Sequence, residues 1–108
     1  MRVEGHFGVS SHVLVNRVPL TPERSLQVRN HSPTGFNWGY AGSGPAQLAL
    51  ALLLEAGLSE GEALDLYQAF KFDVIARQPQ NDLLLEIDVK AWAVGQLAAR
   101  HAAERSQR

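Results

Sequence analysis

The 108-residue sequence predicts an α+β domain in which a small N-terminal antiparallel sheet is followed by a glycine-rich loop and three helices. Three observations predict it. Residues 1–29 fall into short, partly alternating stretches broken by Gly, Ser and Pro. Residues 30–44 concentrate glycines and aromatic side chains. Residues 45–104 carry helical spacing, with cap signals at the segment ends. The length suits a single domain, 1–108, with one core.

Within the β region, "RVEGHFGV", "HVLVNRV" and "SLQVRN" are the expected strands. Asn16-Arg17 can turn a hairpin, and "PLTPE" is a second break. The stretch "NHSPTGFNWGYAGSGPAQ", residues 30–47, then holds four of the nine glycines and three of the eight aromatic residues.

Ser43 or Gly44 can cap the helix that follows, and Pro45 fits its first turn, where no amide bond is lost. From Pro45 to Ala56 only Gln47 and Glu55 are polar, which marks a helix buried on nearly all sides. Gly57 ends it. Ser59 and Glu62 have capping-box spacing. A helix over 60–78 places Ala63, Leu64, Tyr67, Phe70, Val74 and Ile75 on one face, with Phe72 off that face, and Pro79 follows. "NDLLL" is a brief extended piece. The last helix, 86–104, carries Ile87, Val89, Ala91, Trp92, Val94 and Leu97 before a fraying tail, 105–108.

Hydrophobic residues make up 45% of the chain and charged residues 19%, an ordinary globular balance. No cysteine is present, which excludes disulfides and thiolate metal sites. The N-terminus lacks an apolar signal-peptide core, and "PAQLALALLL" is too short to span a bilayer. A cytoplasmic protein with no membrane partner is expected. The net charge of −1 is unevenly spread: residues 1–31 carry four arginines against two glutamates, and 32–70 carry four acids and no base. A phosphate-gripping face therefore has only Arg2, Arg17, Arg24 and Arg29 to draw on.

A glycine-rich turn opening a helix presents unpaired N–H groups and can hold an anion. This one lacks the Lys-Ser/Thr ending of a Walker loop and is not G-x-G-x-x-G, and Pro45 removes a donor. Two readings stand. The loop either bends tightly while Phe36, Trp38 and Tyr40 cover the core, or it binds something. In the binding reading the candidate residues are Arg29, His31, Asn37, Trp38, Tyr40, Ser43 and Gln47. Trp38 and Gly44 are expected to serve the fold, and Asn37 and Tyr40 to face outward. His6, His12, His31 and His101 show no metal-site spacing. No catalytic residue, metal or cofactor is assigned. Phe72, beside Lys71 and Asp73, is a candidate exposed contact.

The stretch "LQVRNHSPTGFNWGYAGSGPAQLALALLL", with "LYQAFKFDVIARQP" downstream, resembles a family of small uncharacterised proteins. They are encoded by bacteria and their phages, plasmids and integrative elements, and the resemblance covers about residues 2 to 92. It implies a short α+β domain with an accessory role in mobile-element biology and no agreed activity. Relatives often carry Asp-Gly where this chain has Asn16-Arg17, a departure that argues against a tight type I′ hairpin. They also carry an aromatic before the last helix, where this chain has "DLLL".

The expected function is non-enzymatic contact with another protein, such as a host defence or replication component. One alternative is nucleic-acid binding through the N-terminal arginines and the loop aromatics. Another is a nucleotide or small-molecule enzyme or sensor built on the glycine loop and His31. A homodimer would be one way to cover so apolar a helix as 45–56.

Overall fold

The structure is a computed structural model that describes residues 1–8, 12–33 and 35–106. Val9 of the expected first strand, Thr34 of the loop and residues 107–108 of the expected tail lie outside the described residues. Strands β1 (Arg2–His6), β2 (His12–Val15) and β3 (Val18–Leu20) form an antiparallel meander. β4 (Leu83–Glu86), the extended piece expected at "DLLL", pairs antiparallel with β1. The sheet order is β3-β2-β1-β4. Val3, Gly5, Val13, Val15 and Leu83 are buried on its inner face. The outer face carries Glu4, with Leu14 and Leu84 paired on either side of it.

The β2–β3 hairpin turns through two residues in the left-handed region, Asn16 (φ 49°) and Arg17 (φ 67°). Val15 and Val18 are paired directly across them. Positive φ at both central positions is the type I′ pattern, so the tight hairpin forms without a glycine. Asn16 is held by two hydrogen bonds: its N–H donates to the Arg2 carbonyl, and the Arg2 N–H donates to its Oδ1, both at 2.8 Å. Arg17 has no such compensation for its left-handed backbone. Arg17→Gly is therefore expected to stabilise the protein by about 0.5–1 kcal/mol, read as a higher denaturation midpoint at unchanged slope.

Residues 25–28, expected as part of the strand "SLQVRN", instead lie in a short helix, α1 (Glu23–Val28). The Ser25 hydroxyl donates to the Pro22 carbonyl, and the Arg29 N–H closes the last turn on the Ser25 carbonyl. The partial alternation of "SLQV" is overridden because Ser25 is buried, only 1% exposed.

Helix α2 (Ser43–Glu55) is buried from Gly44 through Leu54 and packs against α1, α3 and the turn after α3. Gly57 follows it at φ 94°. The Ser59–Glu62 capping box opens α3 (Glu60–Phe70), with both reciprocal bonds made. The expected helix to residue 78 changes character at Lys71–Ile75, which forms a π turn closed by the Ala76 N–H on the Lys71 carbonyl. Phe70 and Ile75 are both fully buried. Five residues apart on an α-helix they would point about 140° apart, at roughly 100° per residue. The wider turn brings both to the core and leaves Phe72 outside.

Helix α4 (Val89–Ser106) starts later than expected and buries Val89 and Ala93. Val94 and Leu97, apolar residues of the expected last helix, are 66% and 37% exposed. The helix buries side chains only in its first turns; residues 97–105 are all exposed, with Arg100 donating to the Asp65 carbonyl at 3.2 Å. No helix among the described residues is long and apolar enough to cross a membrane.

Candidate functional site

The loop is fastened to the core by Gln47. Its carboxamide is completely buried in the first turns of α2, where a polar group must find partners. Oε1 accepts from the N–H groups of His31 (2.8 Å) and Ser32 (3.1 Å). Nε2 donates to Ser25 Oγ (2.8 Å) and to the Arg29 carbonyl (3.1 Å). All four bonds tie the irregular segment 29–32, and α1 before it, to one side chain of α2. Such a segment has no ladder to satisfy its backbone, and Gln47 supplies that need.

Beyond this clamp the network continues outward. His31 Nε2 and Tyr67 Oη are 2.7 Å apart and share a hydrogen bond. Tyr67 is only 2% exposed on α3. One helical turn later, at the first residue of the π turn, stands Lys71, only 9% exposed. Its ammonium lies 4.2 Å from the centroid of the Phe72 ring. Among the described residues no buried side-chain nitrogen lacks a partner, so the Lys71 stem is buried while its ammonium reaches solvent beside that ring. Burial, and then the positive charges of Arg29 and Lys71, hold the His31 imidazole below its ordinary pKa. The exposed Phe72 ring lies at the edge of these groups, against the Lys71 ammonium.

The other loop candidates lie elsewhere. Trp38 is fully buried, and its indole Nε1 donates to the Asn81 carbonyl at 2.7 Å. Asn37 is half-buried and spends Oδ1 on the Trp38 N–H. Gly44 passes so close to it that an added Cβ would lie 2.8 Å from the Asn37 Cβ, so this glycine is required by close approach. Tyr40 is 41% exposed rather than covering the core, and Ser43 is exposed at the start of α2. Arg29 and His31 therefore meet at the cluster, Gln47 holds it from behind, and Trp38, Asn37, Tyr40 and Ser43 do not take part in it. Among the described residues no group of three His, Asp or Glu side chains is placed to hold a metal ion.

Lys71 and Tyr67 were absent from the sequence-derived candidates. Tyr67 reads as core because its spacing is that of the apolar face. The available signal was a lysine one helical turn after a tyrosine on that same face, at i and i+4, where a solvated residue is out of place.

Residues 4–95 match the model of a family of unknown function, DUF6166. The chain belongs to this family. The match begins in β1 and ends inside α4, so it takes in the sheet, the loop, the Gln47 clamp and the Lys71 cluster. The exposed second half of α4 lies beyond it. No curated protein and no solved structure matches the chain.

Proposed function

We propose that this protein is a non-enzymatic accessory module of a mobile genetic element. It acts in the cytoplasm by contacting another protein, and the contact inhibits a host defence or replication component. The genetic setting rests on the resemblance of the "NHSPTGFNWGYAGSGPAQ" region to proteins of phages, plasmids and integrative elements. The physical support is one observation: Phe72 stands 55% exposed on an irregular turn, with the Lys71 ammonium 4.2 Å from the centroid of its ring. π turns of this kind are frequent at functional sites. Large exposed aromatics on a rigid element are the side chains that anchor protein contacts.

The protein reading is favoured over nucleic-acid binding by what the aromatics and arginines do. The loop tryptophan that would stack a base is fully buried. Arg2 is paired with Glu4 at 2.9 Å and Glu86 at 3.7 Å. Phe72→Ala is expected to leave the melting temperature nearly unchanged, within about 0.5 kcal/mol in stability, because the ring is largely in solvent. The same variant is expected to lose a host protein that co-purifies with the tagged wild type. Equal capture by both, or salt-sensitive retention on DNA at ~150 mM salt, would sink the reading.

A further inference from the structure

The sheet has two edges, β3 and β4, and only one of them is blocked. Two hydrogen bonds fix which way the backbone groups of each strand point. The Asn16 N–H donates to the Arg2 carbonyl, so Arg2, Glu4 and His6 turn their backbone groups toward β2. The Ile87 N–H donates to the Met1 carbonyl, so Leu83 and Leu85 turn theirs toward β1. These directions alternate along an antiparallel strand. Pro19 of β3, and Leu84 and Glu86 of β4, therefore point away from the sheet. Pro19 has no N–H to offer there, which is how natural edge strands are protected. β4 carries no such block. Leu84 and Glu86 present both N–H and C=O groups, no hydrogen bond from another described residue reaches them, and both residues are exposed.

The side chains beside this edge carry a pattern. The outer face alternates Asp82, Leu84 and Glu86, with Leu84 63% exposed. The two acids have only distant cationic neighbours, His6 Nδ1 and Arg2 Nη1, each at 3.7 Å. Arg2 is committed first to Glu4, at 2.9 Å. We propose that the free edge of β4 receives an extended segment of a partner protein as an added antiparallel strand. That segment places basic side chains opposite Asp82 and Glu86 and an apolar one opposite Leu84. Main-chain bonds supply the affinity of such an addition, and the directly opposed side chains select the partner. A second copy of this chain fits poorly. Paired antiparallel through Leu84 or through Leu85, β4 would set Asp82 against Glu86 or Asp88 of the other copy, and like charges directly opposite are unfavourable. The surface goes beyond the Phe72 contact, since it uses main-chain groups of β4 and none of the residues on which that reading rests.

The test uses the full chain, isotopically labelled, titrated with a capped heptapeptide that has threonine at both ends, lysine at the second and sixth positions and valine between. One counterpart carries glutamate in place of both lysines, and another an N-methyl group on the central valine. Saturable shifts confined to residues 2–6 and 82–87 are expected with the lysine peptide. The amides of Leu84 and Glu86 should exchange quickly in the free protein and slowly in the complex, while those of Leu83 and Leu85, already directed at β1, change little. Binding should weaken by about tenfold or more with either counterpart, through lost charge pairing or a lost main-chain bond. Leu84→Pro gives β4 the block that Pro19 gives β3 and should weaken binding as much. Glu86→Lys, which leaves every main-chain group in place, should bind the lysine peptide less tightly than the wild type does and the glutamate peptide more tightly. Equal binding of the N-methylated or the glutamate peptide by the wild type, or no protection of the Leu84 and Glu86 amides, would overturn the proposal. Protection of those amides that grows with protein concentration in the absence of peptide would assign the edge to a second copy and overturn the partner assignment. A protein that binds the lysine peptide at β4 while capturing no Phe72-dependent host protein would leave the edge site standing and remove the earlier reading.

Discussion

Trp38→Ala is expected to destabilise the protein by about 3–5 kcal/mol, the usual cost of truncating a large buried aromatic. Total stability for a domain of this size is about 5–15 kcal/mol, so the variant should melt far lower or fail to accumulate. The indole is fully buried, and its N–H satisfies the Asn81 carbonyl just before β4. Phe7 packs edge-on against it, with ring centroids 5.8 Å apart. The ring also lies close against β1: a Cβ on Gly5 would come 2.6 Å from its Cη2. Trp38 therefore joins the loop, the first strand and the approach to the fourth. The coupling is measurable. Gly5→Ala should be costly in the wild type, because the indole cannot move aside. In the Trp38→Ala background the new methyl enters a cavity, and the same change should cost little. The cycle is expected to show a coupling of about 1–3 kcal/mol. Equal costs of Gly5→Ala in both backgrounds would mean that the indole is not what excludes a side chain at Gly5.

How far the molecule was legible in its sequence depends on the range over which each signal acts. The Ser59–Glu62 box and the glycine after α2 are complete within four residues, and both stand as expected. The apolar run 45–54 likewise needs only its own composition to declare a buried helix. Readings that depended on distant partners fared differently. "SLQV" has no local signal strong enough to choose between strand and helix. The choice is made by the burial of Ser25 against Gln47, 22 residues away. Val94 and Leu97 have helical spacing among the apolar residues of α4, yet they stay 66% and 37% exposed among the described residues. The π turn adds a residue after Phe70 and brings Ile75 to the core together with Phe70, which an α-helical wheel would not do.

The candidate site shows the same division. Arg29, His31 and Gln47 were singled out because they are the polar groups around an unusual loop, and they do converge. What they converge on was invisible. The meeting of His31 with Tyr67 spans 36 residues, and the Lys71 ammonium finds the Phe72 ring only because the helix turns irregular there. No pattern within one segment encodes either.

Gln47→Leu tests the clamp that carries this convergence. A naive estimate favours the variant, since a leucine in place of a fully buried amide adds apolar surface to an apolar core. Four partners decide otherwise. The N–H groups of His31 and Ser32 lose their acceptor, and the Arg29 carbonyl and Ser25 Oγ lose their donor. The Ser25 hydroxyl keeps its bond to the Pro22 carbonyl, so its loss is partial. His31 and Ser32 are half-buried, and water can reach them only if segment 29–32 lifts from α2. Two stranded donors at about 1–3 kcal/mol each, less the leucine's gain, give an expected net loss of about 3 kcal/mol. The amides of His31 and Ser32 should exchange slowly with solvent in the wild type and quickly in the variant, because local opening becomes the cheapest relief. A variant that melts within about 0.5 kcal/mol of the wild type, with both amides still protected, would show that segment 29–32 is held by something other than Gln47.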